Sequence, residues 1–189
     1  MLLDNYQGRL LISQPKCQSE IFSQGVVLVV KHSTNGAWGL LLNRQLPHPE
    51  CSLIDIVEHI GMENPNHVDA PVYLGGPVER GRICVLHTDD WTGHSSQSVA
   101  PGLSITTDIS VLSAIMMFNG PAQYRVMAGL SAWGSGQLDG EMRGTEPWTP
   151  LHKWLSIPAD PETIFQFDAE DQWKQALALA VNQEVKELF

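Results

Sequence analysis

The chain is short of basic residues, of cysteine and of long apolar runs, and each shortage excludes something. Eleven Lys and Arg stand against 21 Asp and Glu in 189 residues, a formal net charge of −10. Phosphate-backbone binding relies on Lys and Arg displacing counterions, and the closest basic pair is Arg80 and Arg82. Non-specific nucleic-acid binding is therefore disfavoured. Cys17, Cys51 and Cys84 are odd in number and far apart, which fits neither a disulfide framework nor a zinc pattern. Cys84 sits in an apolar run and reads as a small buried hydrophobe. No apolar run approaches the roughly 20 residues that span a bilayer, and residues 1–5 lack the basic start of a secretory signal. The expectation is a cytoplasmic protein without membrane contact. The seven histidines hold no pair four residues apart with a carboxylate between them, so no metal site and no cofactor is expected.

What is present is a core. Apolar residues make up 43% of the chain, enough for one domain spanning 1–189. Val26-Val27-Leu28-Val29-Val30 and Leu40-Leu41-Leu42 flank a turn placed at Asn35-Gly36, where adjacent residues can take positive φ. Both runs are near-continuous, so both faces of this hairpin should be covered. Leu10-Leu11-Ile12, Val72-Tyr73-Leu74, residues 83–86, 103–106 and 124–130 read as further strands. Ser52 and Asp55 read as a shortened capping box opening a helix with Leu53, Val57 and Ile60 on one face and Gly61 as its stop. A second helix opens at Thr107 or Asp108 and carries Ile109, Leu112, Ile115 and Met116. Residues 137–142 form a short polar turn or helix. Residues 168–183 form the last helix, on the spacing of Trp173, Ala176, Leu177, Ala180 and Val181. Ile164-Phe165 reads as a last strand or docking segment, and residues 143–160, rich in Trp and Pro, as a loop wrapped over the sheet. Strands outnumber helices without regular alternation. The fold class is α+β, with a mixed, largely antiparallel sheet that can curl and a few flanking helices.

No familiar catalytic motif survives close reading. Gly93-His94-Ser95-Ser96-Gln97 lacks the second glycine of a nucleophile elbow and no apolar strand leads into it, so it reads as a polar loop. Gly75-Gly76-Pro77 is either an anion cradle or a tight turn, without P-loop or dinucleotide spacing. His32 and His87 each end an apolar strand, where a ring usually satisfies a backbone group. In residues 129–141, glycines surround Trp133. Gln137, Asp139 and Glu141 would project near one another if the stretch were extended. The candidate ligand-binding residues are His32, Asn43, Arg44, Gly75, Gly76, His87, Trp133, Gln137 and Asp139.

These segments, taken in order, resemble the YqgE/AlgH family. The matching pieces are Gly8-Arg9-Leu10-Leu11-Ile12 with Pro15, Val26 to His32 with Asn35-Gly36-Ala37-Trp38-Gly39, and Leu42-Asn43-Arg44. Tyr73-Leu74-Gly75-Gly76-Pro77-Val78, Leu86-His87, Thr107-Asp108 with Leu112-Ser113-Ala114-Ile115, Trp133-Gly134, Gly136-Gln137-Leu138 and Trp148 complete the set. Asp139 stands where the family tends to carry Glu. The resemblance implies a compact α+β pseudo-barrel, no accepted active site to carry over, and a suggested link to transcriptional regulation. Three readings follow. The first is a non-enzymatic binding or regulatory protein whose partner is a protein or small ligand in preference to nucleic acid. The second is an enzyme in which His32, Asn43, Arg44, His87, Gln137 and Asp139 converge at one rim, Arg44 holding an anion and a histidine moving protons. The third, direct DNA binding, lacks a basic face or helix-turn-helix.

Overall fold

The computed structural model describes residues 5–47, 51–93, 95–147 and 154–187. The hairpin is its centre. Strands β1 (Arg9–Ser13), β2 (Val26–Ser33) and β3 (Gly36–Leu41) pair antiparallel in succession. They are followed by β4 (Val72–Leu74), β5 (Val78–Thr88), β6 (Gln97–Ala100), β7 (Leu103–Thr106), β8 (Tyr124–Trp133) and β9 (Trp154–Pro158). These nine strands form one sheet in the order β6-β7-β5-β8-β3-β2-β1-β9, with β4 added to β8 as its one parallel partner. The mixed, largely antiparallel α+β architecture is as expected.

The hairpin is covered on both sides because its residues alternate between two clusters. Val26, Leu28 and Val30 join Leu10, Ile12, Leu40 and Leu42 on the inner face, together with residues of β5, β6, β7, β8 and β9. Val27 and Val29 join Leu11, Leu41, Trp133 and Trp154 on the outer face. An inner cluster fed by strands from both ends of the sheet is what a curl produces. A Cβ on Gly8, just before β1, would lie 2.8 Å from the Val99 carbonyl of β6. The first and last thirds of the strand order therefore meet by packing. A shift in register between Val29 and Lys31 adds the bend.

Among the described residues five helices flank the sheet: α1 (Leu53–His59), α2 (Ser110–Met116), α3 (Gln137–Arg143), α4 (Pro161–Phe165) and α5 (Ala169–Glu187). The Ser52 N–H donates to the Asp55 carboxylate at 2.7 Å and starts α1. The Asp108 carboxylate accepts the Ser110 N–H at 2.9 Å and starts α2. α1 and α2 pack with Val72, Val85, Val126 and Ala128 in a third cluster. α5 lays Ala176 and Ala180 on the inner cluster and anchors through Trp173, whose indole N–H donates to the Ser13 carbonyl at 2.8 Å.

Several expectations need correcting. The hairpin turn is Thr34-Asn35, because Ser33 pairs with Gly36; of the pair Asn35-Gly36 only Gly36 takes positive φ, +127°. Ile109 is 61% exposed; Val111 takes its place on the buried face of α2. Ile60 and Val181 also face outward. Ile164-Phe165 is helical, since the Asp160 carboxylate caps the Thr163 N–H at 2.9 Å and Pro161 suits a first turn. Residues 154–158 of the supposed loop are strand β9, paired along all of β1. Residues 148–153, with Trp148, lie outside the described residues, as does His94. β6 leaves no mark in the sequence, because Gln97-Ser98 carries no apolar signal.

Burial sorts the three thiols. Cys84 lies in the inner cluster, and burial pushes its thiol up to about 12. Burial and then Asp55 raise Cys51 more mildly, and Cys17 is half-buried like Cys51. A disulfide-exchange reagent at neutral pH should titrate no more than Cys17 and Cys51 in the native protein, with Cys84 appearing only on denaturation. Fast modification of Cys84 in the native state would contradict this packing.

Candidate functional site

The nine candidate residues fall into four places, and only one group of them gathers. His32 at the end of β2, Trp133 at the end of β8, and Gln137 and Asp139 on α3 meet on the outer face. Gly136 before α3 and Gly144 after it take left-handed conformations, φ +70° and +62°, which let a two-turn helix fold back onto the strand ends. The stretch is helical, so its three polar residues separate. Gln137 and Glu141 share one side, joined from Nε2 to Oε1 at 2.9 Å, while Asp139 turns to His32. Glu141 Oε2 accepts the indole N–H groups of Trp133 at 3.0 Å and Trp154 at 2.9 Å. Glu141 is 3% exposed and fully bonded. Its role is to lock α3 onto the sheet.

His32 is locked as well. Its Nδ1 accepts the Tyr6 backbone N–H at 3.2 Å, so Nε2 carries the ring proton and donates to Asp139 Oδ2 at 3.2 Å. Tyr6 also lies against the ring, centroids 5.5 Å apart. Both ring nitrogens are engaged, which leaves no lone pair to take a proton from a substrate. The other Asp139 oxygen, Oδ1, is buried without a hydrogen-bond partner.

His87 lies far from this group. It pairs with Tyr124 of β8, whereas Ala37, the partner of His32, pairs with Trp133, nine residues further along β8. At about 3.3 Å per residue the separation is roughly 30 Å along the strand. A shared proton-transfer site at one rim is therefore ruled out. His87 is completely buried. Its Nδ1 lies 2.8 Å from the Thr88 carbonyl and its Nε2 3.1 Å from Ser96 Oγ, with Trp91 edge-on at 5.5 Å.

Gly75 and Gly76 do not cradle an anion. A Cβ on Gly75 would sit 2.2 Å from the Gly129 oxygen, and one on Gly76 would sit 2.3 Å from the Leu130 carbonyl group. The Gly75 N–H already donates to Ala128 O at 2.8 Å. The two glycines let β4 and its exit run against β8.

Asn43 and Arg44 follow β3. Asn43 is buried and structural, its Oδ1 accepting Val26 N–H at 2.9 Å and its Nδ2 donating to Gln24 O at 2.8 Å. Arg44 reaches the Ser23 and Asn43 carbonyls. Its guanidinium is half-buried, and burial lowers its pKa from the usual arginine value. Asn43 and Arg44 line a cavity of about 380 Å³ with Gln24, Gln45, Ala169, Glu170 and Trp173. The volume is within the usual range for a small-molecule site.

Three residues outside the candidate set carry much of this arrangement. Arg125 is buried in β8, donating to Leu42 O at 2.9 Å, Gln172 Oε1 at 2.7 Å and Phe167 O at 3.1 Å, above the Tyr73 ring at 4.8 Å. A lone arginine inside an apolar strand was its visible signal. Glu141 and Ser96 lie in segments the sequence draws attention to, but their roles are set by partners it does not reveal, the two indoles and the His87 ring.

Comparison with known proteins matches the whole frame. An AlgH-like family model covers residues 10–183. A UPF0301 protein from Methylococcus capsulatus is 37% identical over 170 residues, spanning 90% of this chain and 88% of that one. A second, from Rhodospirillum rubrum, is 35% identical over 181 residues, spanning 93% and 90%. The solution structure of the AlgH protein from Pseudomonas aeruginosa superposes with a TM-score of 0.73 at 28% identity, over 94% of this chain and 90% of that chain. A crystal structure from Corynebacterium diphtheriae, at 19% identity and TM-score 0.68 over 92% and 86%, shares the fold.

Proposed function

This chain belongs to the AlgH-like family, and on that footing we propose that it acts by binding, with the Arg44 cavity as its recognition site for a small molecule or partner segment bearing a carboxylate or phosphate. The observation that carries this is the state of Arg44. Its guanidinium has lost part of its hydration, its partners are two neutral carbonyls, and no carboxylate pairs with it among the described residues. A ligand anion would supply the missing charge through a planar fork of donors. Trp173 offers an apolar wall, and Asn43 and Gln45 offer polar edges to orient the ligand. Glu170 at the same wall disfavours polyanions and favours a ligand that also carries a donor or an ammonium group. The setting is cytoplasmic, where such metabolites are plentiful, and a regulatory output would follow from ligand-dependent docking.

A calorimetric or thermal-shift screen of small carboxylates, amino acids and phosphate monoesters tests the reading. A ligand should be found whose affinity falls about 10- to 100-fold in Arg44→Ala, the scale of one lost charge-assisted bond, and only partly in Arg44→Lys. Binding that is unchanged in Arg44→Ala, or no binding across the panel, defeats it.

A further inference from the structure

We propose that Ser96 and His87 form a nucleophile–base pair able to take an acyl group from a small uncharged ester or other activated acyl donor. The site is separate from the Arg44 cavity, and it departs from the expectation of a protein without chemistry.

A carbonyl can only accept, so the Thr88 oxygen at 2.8 Å requires the proton of His87 to sit on Nδ1. Nε2 is then a lone pair, and it faces Ser96 Oγ at 3.1 Å. This is the opposite tautomer from His32, and it is the one a general base needs. The ring cannot drift from that pose, because it is fully buried and braced edge-on by Trp91. Ser96 by contrast is only half-buried, so a substrate can approach its hydroxyl from outside. A nucleophile within hydrogen-bond reach of a base, with the base oriented by a third group, is the arrangement shared by covalent hydrolases. The orienting group here is a main-chain carbonyl.

The same segment fails as a nucleophile elbow at Ser95, which is exposed. The elbow pattern asks for glycines around a strand-to-helix serine. Ser96 instead lies one residue before β6, and pairing of β6 with β7 beside β5 sets its distance from His87.

The step balances as ordinary acyl transfer. Ser96 Oγ bonds to the acyl carbon as its proton passes to His87 Nε2. The bond from that carbon to the leaving oxygen then breaks, and Nε2 returns the proton to the departing alcohol. Water, deprotonated by the same nitrogen, releases the acid and regenerates Ser96. Asp89 and Asp90 follow His87 by two and three residues, and Asp90 is held below the usual carboxylate range by the Thr88 hydroxyl and, further, by the Ala122 N–H. Their charge turns away anionic acyl groups.

Purified protein should be incubated with p-nitrophenyl acetate and with a fluorophosphonate probe, then mapped by peptide mass spectrometry. A single adduct is expected on Ser96. It should vanish in Ser96→Ala and fall at least about 100-fold in rate in His87→Gln, the usual loss when a general base is removed. Ser96→Cys should restore acylation, which a merely structural hydroxyl would not do. Should His87→Gln not fold, a native Ser96 labelling rate no greater than that of exposed Ser95 serves as the opposing result. Absence of a Ser96 adduct, or a Ser96 adduct formed equally fast without His87, overturns the proposal.

Discussion

Gly75→Ala should be severely destabilising. The added methyl would lie 2.2 Å from the Gly129 oxygen and 3.1 Å from both the Gly129 carbonyl carbon and Leu40 Cδ2. Two of those atoms are main chain and cannot swing aside. The same residue gives its N–H to Ala128 O and its carbonyl to Leu41 N–H, both at 2.8 Å, and Ser131 Oγ donates to that carbonyl at 3.1 Å. Moving Gly75 away therefore breaks its bonds to both β3 and β8 at the middle of the sheet. A loss of more than about 4 kcal/mol is expected, against a total stability on the order of 5–15 kcal/mol. Gly81→Ala is the matched control, because a Cβ there meets nothing within 4 Å. It should shift stability by no more than about 0.5 kcal/mol. Urea midpoints of the two variants decide the matter; similar values would refute the close backbone approach.

Removing the Glu141 carboxylate should cost nearly as much. Glu141→Leu puts an apolar side chain of similar size in its place but strands the indole N–H groups of Trp133 and Trp154 and the amide of Gln137. Each buried donor left unpaired costs roughly 1–3 kcal/mol, and the values do not simply add. A loss of about 3–5 kcal/mol is expected. α3 should detach first, because Glu141 is its main polar tie to the sheet. Tryptophan emission would then shift to the red at denaturant concentrations where the β-sheet circular dichroism is still intact. Loss of both signals in one transition, at the wild-type midpoint, would show that the carboxylate is dispensable.

How much of this could be read from the chain follows from the range of each contact. The hairpin announced itself because Val26 to Val30 is apolar at every position, and only a strand covered on two faces tolerates that. α1 was legible through Ser52 and Asp55, and α5 through Trp173, Ala176 and Ala180, since those signals are local. β9 was hidden because Trp154 to Pro158 gains its partners only from β1, nearly the whole chain away. α4 is masked in the sequence because two apolar residues, Ile164-Phe165, outweigh the cap and proline just ahead of them. Of the six polar residues expected to converge at one rim, His32, Gln137 and Asp139 lie together, and Asn43 and Arg44 lie elsewhere. The separation of His87 was not legible, since two strand-end histidines look alike until the register is known. The roles of Gly75 and Gly76 were ambiguous for the same reason: glycine permits both a ligand and another backbone to come close.

The strand order also has a consequence for synthesis. β3 finds β8 only when Ala37 meets Trp133, and β1 finds β9 only when Arg9 meets Pro158. The hairpin can close as soon as it leaves the ribosome. Its flanking edges then wait for some hundred further residues to be translated, with their amide and carbonyl groups unpaired and their valines bare. Emergence of the final stretch, carrying β9 and α5, is what ends that exposure, so nascent chains stalled before residue 154 should be clients of holdase chaperones while released chains are not.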